Sequence, residues 1–214
     1  MSGSVNPTER TRSREPIRFV GVGGSPGVAL GRAHVLDRRD LDILEYDIDP
    51  EQVAEERARL AAAFAESRRQ LAELREGLSR EALGDHVHIL DSHILMLEDS
   101  SLVGAAERLV AEERINAEWA VRRAFATLRA QFEKIPDEYI RSRAQDLAYI
   151  EERVLRNLMG QPRERVTGLQ GPVVVVAHDV APSEIVALKR AGVLAVVTET
   201  GGPATHTAIM ARSL

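Results

Sequence analysis

The chain has 214 residues, 44% of them apolar and 29% charged, with 28 Lys and Arg against 33 Asp and Glu for a formal net charge of −5. This is a globular composition with room for one large domain or two small ones, and its acidic balance argues against nonspecific nucleic-acid binding, which runs on a basic surface. Without cysteine, a disulfide scaffold, a thiolate zinc site and a cysteine nucleophile are excluded and a reducing, cytoplasmic setting is suited; no apolar run is long enough to span a bilayer.

Residues 1–16 carry no fold signal. Met1–Glu15 contains Ser, Pro, Gly, Asn and the arginines Arg10, Arg12 and Arg14, with Val5 as its one sizeable apolar residue. It lacks the apolar stretch of a secretory signal, and Glu9 and Glu15 count against a transit peptide, so a disordered tail is expected.

Residues 17–48 open an α/β part. Phe19, Val20 and Val22 predict a short strand, Gly23–Gly27 a turn, and Val28–Leu36 a second strand. The glycines at 21, 23, 24, 27 and 31 do not make a dinucleotide loop. That loop needs a helix opening on its last glycine, and Gly27 leads into strand-like sequence.

Residues 49–160 predict a helical bundle of four or five helices. Asp49-Pro50-Glu51-Gln52 has the form of a capping box with Pro at the first helical position. Apolar stripes follow: Leu60, Phe64, Leu71, Leu74, Leu78; then Leu83, Val87, Leu90, Ile94, Leu97; then Val121, Phe125, Leu128, Phe132; then Ile140, Ala144, Leu147, Val154, Leu158. Gly84, Ser100-Ser101, Asn116 and Pro136 interrupt them, and Gly160 with Pro162 ends the last, so a compact bundle is favoured over a continuous coiled coil.

Residues 161–214 return to α/β sequence. Val173–Val176 predicts a buried strand, Pro182–Arg190 a helix stopped by Gly192, Val193–Thr198 a second strand, and Thr205 onward a helix. This order implies a parallel pair with a crossover, which the strands of residues 17–48 could extend; the bundle is then an insertion into one α/β domain.

The candidate site is Gly201-Gly202-Pro203-Ala204-Thr205-His206-Thr207, a loop after a strand that opens a helix. Ligands of open α/β sheets bind in such loops, glycine allows close backbone approach, and a helix start favours an anion. Neutral imidazole at that point is a competent nucleophile. A phosphoryl group on His206 would gain hydrogen bonds from the Thr207 hydroxyl and nearby N–H groups. Arg212, six residues on, lies on roughly the opposite side of the helix and is a weaker phosphate ligand. Ser183 and Ser213 lie in no nucleophile elbow, so a serine hydrolase fits poorly. His86, His88 and His93 have no pair at the i, i+4 spacing of a helical metal site, so no metal is assigned to them.

The stretch "GPATHTAIMARSL" (Gly202–Leu214) resembles the phosphohistidine signature of enzyme I of the phosphoenolpyruvate:sugar phosphotransferase system. "SPGVALGRA" (Ser25–Ala33), "HILMLEDSSL" (His93–Leu102), "DEYIRSRAQDLAYIEERVLRNLMG" (Asp137–Gly160) and "DVAPSE" (Asp179–Glu184) resemble further stretches of that family in the same order. The resemblance implies an α/β swivelling phosphohistidine domain, incomplete at its C-terminus, in residues 17–48 and 161–214, with an inserted helical subdomain in 49–160. It implies that His206 takes a phosphoryl group from phosphoenolpyruvate and passes it to the phosphocarrier protein HPr, the first step of the phosphotransferase system, with Gly201, Gly202, Thr205, Thr207 and Arg212 supporting the phosphate. The HPr surface it implies includes Ile89, His93, Leu95, Met96, Glu98 and Asp99. Ile89, Leu95 and Met96 also fall off the apolar stripe, beside acids that suit a basic-rimmed partner. The phosphoenolpyruvate and Mg2+ site and the homodimer interface are expected in a C-terminal domain absent from this chain, so that the chain alone does not use phosphoenolpyruvate. A non-catalytic HPr-binding module and the matching part of a nitrogen-regulatory or multidomain relative are the alternatives. At two positions this sequence departs from the family's common pattern: Ala181 stands where Thr is frequent, and Pro203 where Arg is frequent.

Overall fold

A computed structural model of the chain describes residues 16–36, 41–76, 87–136, 138–161 and 171–214. Three short strands, β1 (Arg32–Leu36), β2 (Val173–Ala177) and β3 (Ala195–Thr198), form a parallel sheet in the order β1-β2-β3. The register pairs Arg32 with Val173 and Val174 with Ala195. Between β1 and β2 runs the helical part: α1 (Val53–Glu76), α2 (Val87–Glu98), α3 (Ser100–Arg108) continued by a π-helical turn (Leu109–Glu113), α4 (Ala117–Glu133) and α5 (Glu138–Leu158). Helix α6 (Pro182–Arg190) crosses from β2 to β3, and α7 (His206–Ser213) follows β3.

The stripes expected of the helices are the ones that pack. Leu60, Phe64, Leu71, Leu90, Leu97, Val121, Phe125, Leu147, Val154 and Leu158 are all buried in one core, with Leu74, Ile94, Leu128 and Phe132 against its edge. Polar side chains at or beside the expected starts and breaks fix the helix ends. Asp49 N–H donates to Gln52 Oε1 at 2.9 Å ahead of α1. Asp99 separates α2 from α3 and accepts from Ser101 N at 2.7 Å, an N-cap bond. Asn116, ahead of α4, instead donates to the Leu44 carbonyl at 2.9 Å and Glu118 Oε2 at 3.0 Å, tying the incoming chain to the bundle. Leu78, Leu83, Gly84, His86, Pro162 and the tail up to Glu15 lie outside the described residues, as do the side chains of Val87, Ile140 and Ala144.

One expectation for the sheet is corrected. Phe19–Val22 forms no strand, and of Val28–Leu36 only Arg32–Leu36 does. Phe19 is 89% exposed and Val20 95%. Strand propensity needs a neighbour to complete its hydrogen bonds, and among the described residues β1 pairs with β2 alone. β3 too is only partly buried, and among the described residues β2 is its one partner.

Candidate functional site

The loop after β3 is shaped by Gly201, whose φ of +105° is closed to most side chains. Gly202 then closes a tight turn, its carbonyl accepting from Thr205 N at 3.1 Å and Thr205 Oγ1 at 2.9 Å. Thr205 is the N-cap of α7, its hydroxyl accepting from Ala208 N at 3.3 Å. His206 is therefore the first residue of the helix, where backbone N–H groups precede the first intrahelical bond and the dipole is positive. Its side chain is 16% exposed, half-sunk but reachable.

What lies against the imidazole comes from the other side of the molecule. His206 Nδ1 is 2.9 Å from Asp146 Oδ2 and 3.1 Å from Oδ1, on α5. Asp146 is buried. Burial works against its ionised form, but the hydrogen bond from His206 and then the imidazole of His93 outweigh it and hold the carboxyl at about 2, so it is a carboxylate at neutral pH. A carboxylate only accepts, so Nδ1 carries the proton and the Nε2 lone pair is left bare, the state a nucleophilic histidine needs.

Asp146 belongs to a polar stripe along one face of α5. One turn on, Tyr149 Oη donates to Asp179 Oδ2 at 2.6 Å in the turn between β2 and α6. A further turn on, Arg153 Nη2 donates to Ser183 Oγ on α6 at 2.8 Å, while Nη1 donates to Gln70 Oε1 on α1 at 3.0 Å. Asp179 Oδ1 accepts from Val180 N at 2.7 Å, and the Val180 carbonyl accepts from Thr207 Oγ1 at 2.6 Å, so the α5 contacts reach α7 by a second path.

Several expected roles are changed by these bonds. The Thr205 and Thr207 hydroxyl protons are engaged by the Gly202 and Val180 carbonyls, so neither hydroxyl is a ready donor to a phosphoryl oxygen. Arg212 donates to the Gly24 carbonyl at 3.1 Å, anchoring the N-terminal segment on α7. Two residues expected on an exposed face of α2 are instead inside. His93 is 2% exposed and Ile89 is buried, because both fall on the inner side of α2. Leu95 is 65% exposed and Glu98 and Asp99 are exposed, with Met96 half-buried. Among the described residues no three His, Asp or Glu side chains stand where they could hold a metal ion.

The arrangement matches known proteins over both parts of the chain. The family described as "PEP-utilising enzyme, N-terminal" matches residues 20–143, and "PEP-utilising enzyme, mobile domain" matches residues 169–214. The chain belongs to the enzyme I family of PEP-utilising enzymes. A solution NMR structure of Enzyme I (nEIt) superposes with a TM-score of 0.74 at 31% identity, covering 90% of this chain and 78% of that one. The phosphoenolpyruvate-protein phosphotransferase of Cupriavidus necator is 39% identical over 212 residues, which takes in 93% of this chain and 36% of that protein. The Bacillus subtilis protein of the same name is 31% identical over 194 residues, 91% of this chain and 34% of its own length. The chain thus spans about a third of the length of these curated relatives. Within this enzyme I fold, Ala181 is buried as the N-cap residue of α6 and offers His206 no hydroxyl. Asp146 supplies the ring contact instead. Reasoning from the sequence missed Asp146, Tyr149 and Arg153 as site-forming residues. The one available signal was their i, i+3, i+7 spacing beside the apolar stripe of α5.

Proposed function

We propose that His206 is the phosphoryl carrier of an enzyme I-type phosphotransferase, taking the group from phosphoenolpyruvate in the whole protein and passing it to the histidine of HPr. In the first step the Nε2 lone pair attacks phosphorus in line and the bond from phosphorus to the enolate oxygen breaks. The enolate leaves and becomes pyruvate on taking a proton. In the second step the HPr imidazole attacks the same phosphorus and His206 Nε2 recovers its lone pair. The loose transition state needs positioning and positive potential more than covalent help, and the start of α7 supplies both. The observation that carries this reading is the Nδ1–Asp146 contact, which orients the ring and fixes its tautomer while Nε2 stays open. HPr docking is assigned to the exposed part of α2 and its turn, at Leu95, Glu98 and Asp99 with Met96 beside them. The donor site, its magnesium and the homodimer interface are assigned to the remaining length seen in the relatives, and the compartment to the cytoplasm.

The test is to incubate the chain with HPr phosphorylated on its histidine. Acid-labile, alkali-stable phosphate is expected on the chain, absent in His206→Ala, and no label is expected from phosphoenolpyruvate with magnesium alone. Tight HPr docking without transfer would replace this reading with a non-catalytic binding module.

A further inference from the structure

We propose that His93 is a positioning residue that acts through Asp146, keeping the carboxylate turned so that the proton stays on His206 Nδ1 and Nε2 stays bare. This rests on the phosphoryl-transfer reading of His206. Asp146 lies between two imidazoles from opposite parts of the molecule. His206 Nδ1 approaches one side, and His93 Nε2 on α2 lies 3.4 Å from Oδ1 on the other. Among the described residues, His93 Nε2 is the one buried side-chain nitrogen or oxygen that makes no hydrogen bond. An unused polar atom in a dry core costs stability, and an apolar side chain of similar size would pack there without that cost. Its place against the carboxylate gives the atom a use. His206 shares both oxygens, at 2.9 and 3.1 Å, so its contact does not choose between them. A small shift would bring His93 Nε2–H into hydrogen-bond range of Oδ1 and hold the plane from behind, leaving Oδ2 for His206. That hold matters most once His206 Nε2 carries a phosphoryl dianion, when added negative charge near Asp146 would otherwise turn the carboxylate away.

The test uses 15N spectra of ring-labelled histidines in the chain, together with the rate of transfer from phosphorylated HPr and the melting temperature. In the unsubstituted chain, His93 is expected with its proton on Nε2; a bare Nε2 facing the carboxylate would overturn the proposal. In His93→Leu the His206 ring is expected to move from the Nδ1–H form to a mixture of tautomers, with transfer slowed about tenfold. His93→Gln, whose amide N–H can reach Asp146, is expected to restore both. Unchanged His206 signals in His93→Leu, or equal losses in both variants tracking a fall in melting temperature, would overturn it. The tautomer spectra need no transfer, so a chain that takes no phosphate from HPr would refute the proposed reaction without touching this result. Should His93→Leu not fold, the proton position in the unsubstituted chain and the His93→Gln spectra still decide.

Discussion

At the scale of the residue, a single buried carboxylate sets the chemistry of the site. Asp146 reaches His206 Nδ1 across 60 positions of sequence. Replacing it with Asn keeps the shape but removes the charge, and the amide can present N–H to Nδ1, favouring the wrong tautomer. Asp146→Asn is expected to slow phosphoryl transfer at least about tenfold while docking of HPr is unchanged, measured as transfer rate against binding affinity. The same group makes stability depend on acid. Its folded pKa, about 2, lies below the ordinary 3.8. It therefore contributes stability that is fully present above about pH 4 and is lost as pH falls toward 2, by about 2 kcal/mol. Urea midpoints followed from pH 5 to pH 2 should fall more steeply in the natural chain than in Asp146→Asn; parallel curves would contradict this.

At the scale of the element, α5 does two jobs with one helix. Its apolar stripe, with Leu147, Ile150, Val154 and Leu158, is core. Its neighbouring stripe, Asp146, Tyr149 and Arg153, addresses α7, the β2–α6 turn and α6 in turn. Arg153 is buried, and burial pushes its guanidinium down to about 10 despite the opposing influence of Glu152, so it remains a cation at neutral pH. A buried cation must spend its N–H groups on acceptors. Ser183→Ala removes one of them and is expected to destabilise the chain by about 1–3 kcal/mol, read from urea unfolding. It should also loosen the docking of α6 on α5, raising amide exchange in α6 before α4. Unchanged stability would show that the guanidinium finds another acceptor.

At the scale of the whole molecule, the parallel pairing of β1 with β2 encloses the entire bundle between two strands. The pairing begins where Arg32 N donates to the Pro172 carbonyl at 2.9 Å. Gly31 makes this possible: a Cβ there would sit 2.7 Å from that oxygen and 2.9 Å from its carbon, both backbone atoms. Gly31→Ala is expected to cost about 1–3 kcal/mol through this clash. The loss should appear as faster exchange of β2 amides with helical circular dichroism preserved, because the bundle rests on local contacts and the sheet on a long closure. Simultaneous loss of both signals would show instead that sheet and bundle form one cooperative unit.

The sequence by itself determined what depends on near neighbours. Apolar spacing in α1, α4 and α5, the stops at Ser100-Ser101 and Asn116, the parallel strand–helix–strand order after Gly171, and a histidine opening a helix after two glycines are all readable within a few turns of chain. What the tertiary structure alone decided is what depends on how those elements lie across one another. Asp146 meets His206, His93 turns inward, Thr207 and Arg212 donate to backbone carbonyls, and among the described residues Phe19–Val22 joins no strand. Periodicity says which face of a helix is apolar, but a polar residue at the edge of that face acquires its role from the element packed opposite, and that is settled by the summed packing of the bundle against the sheet.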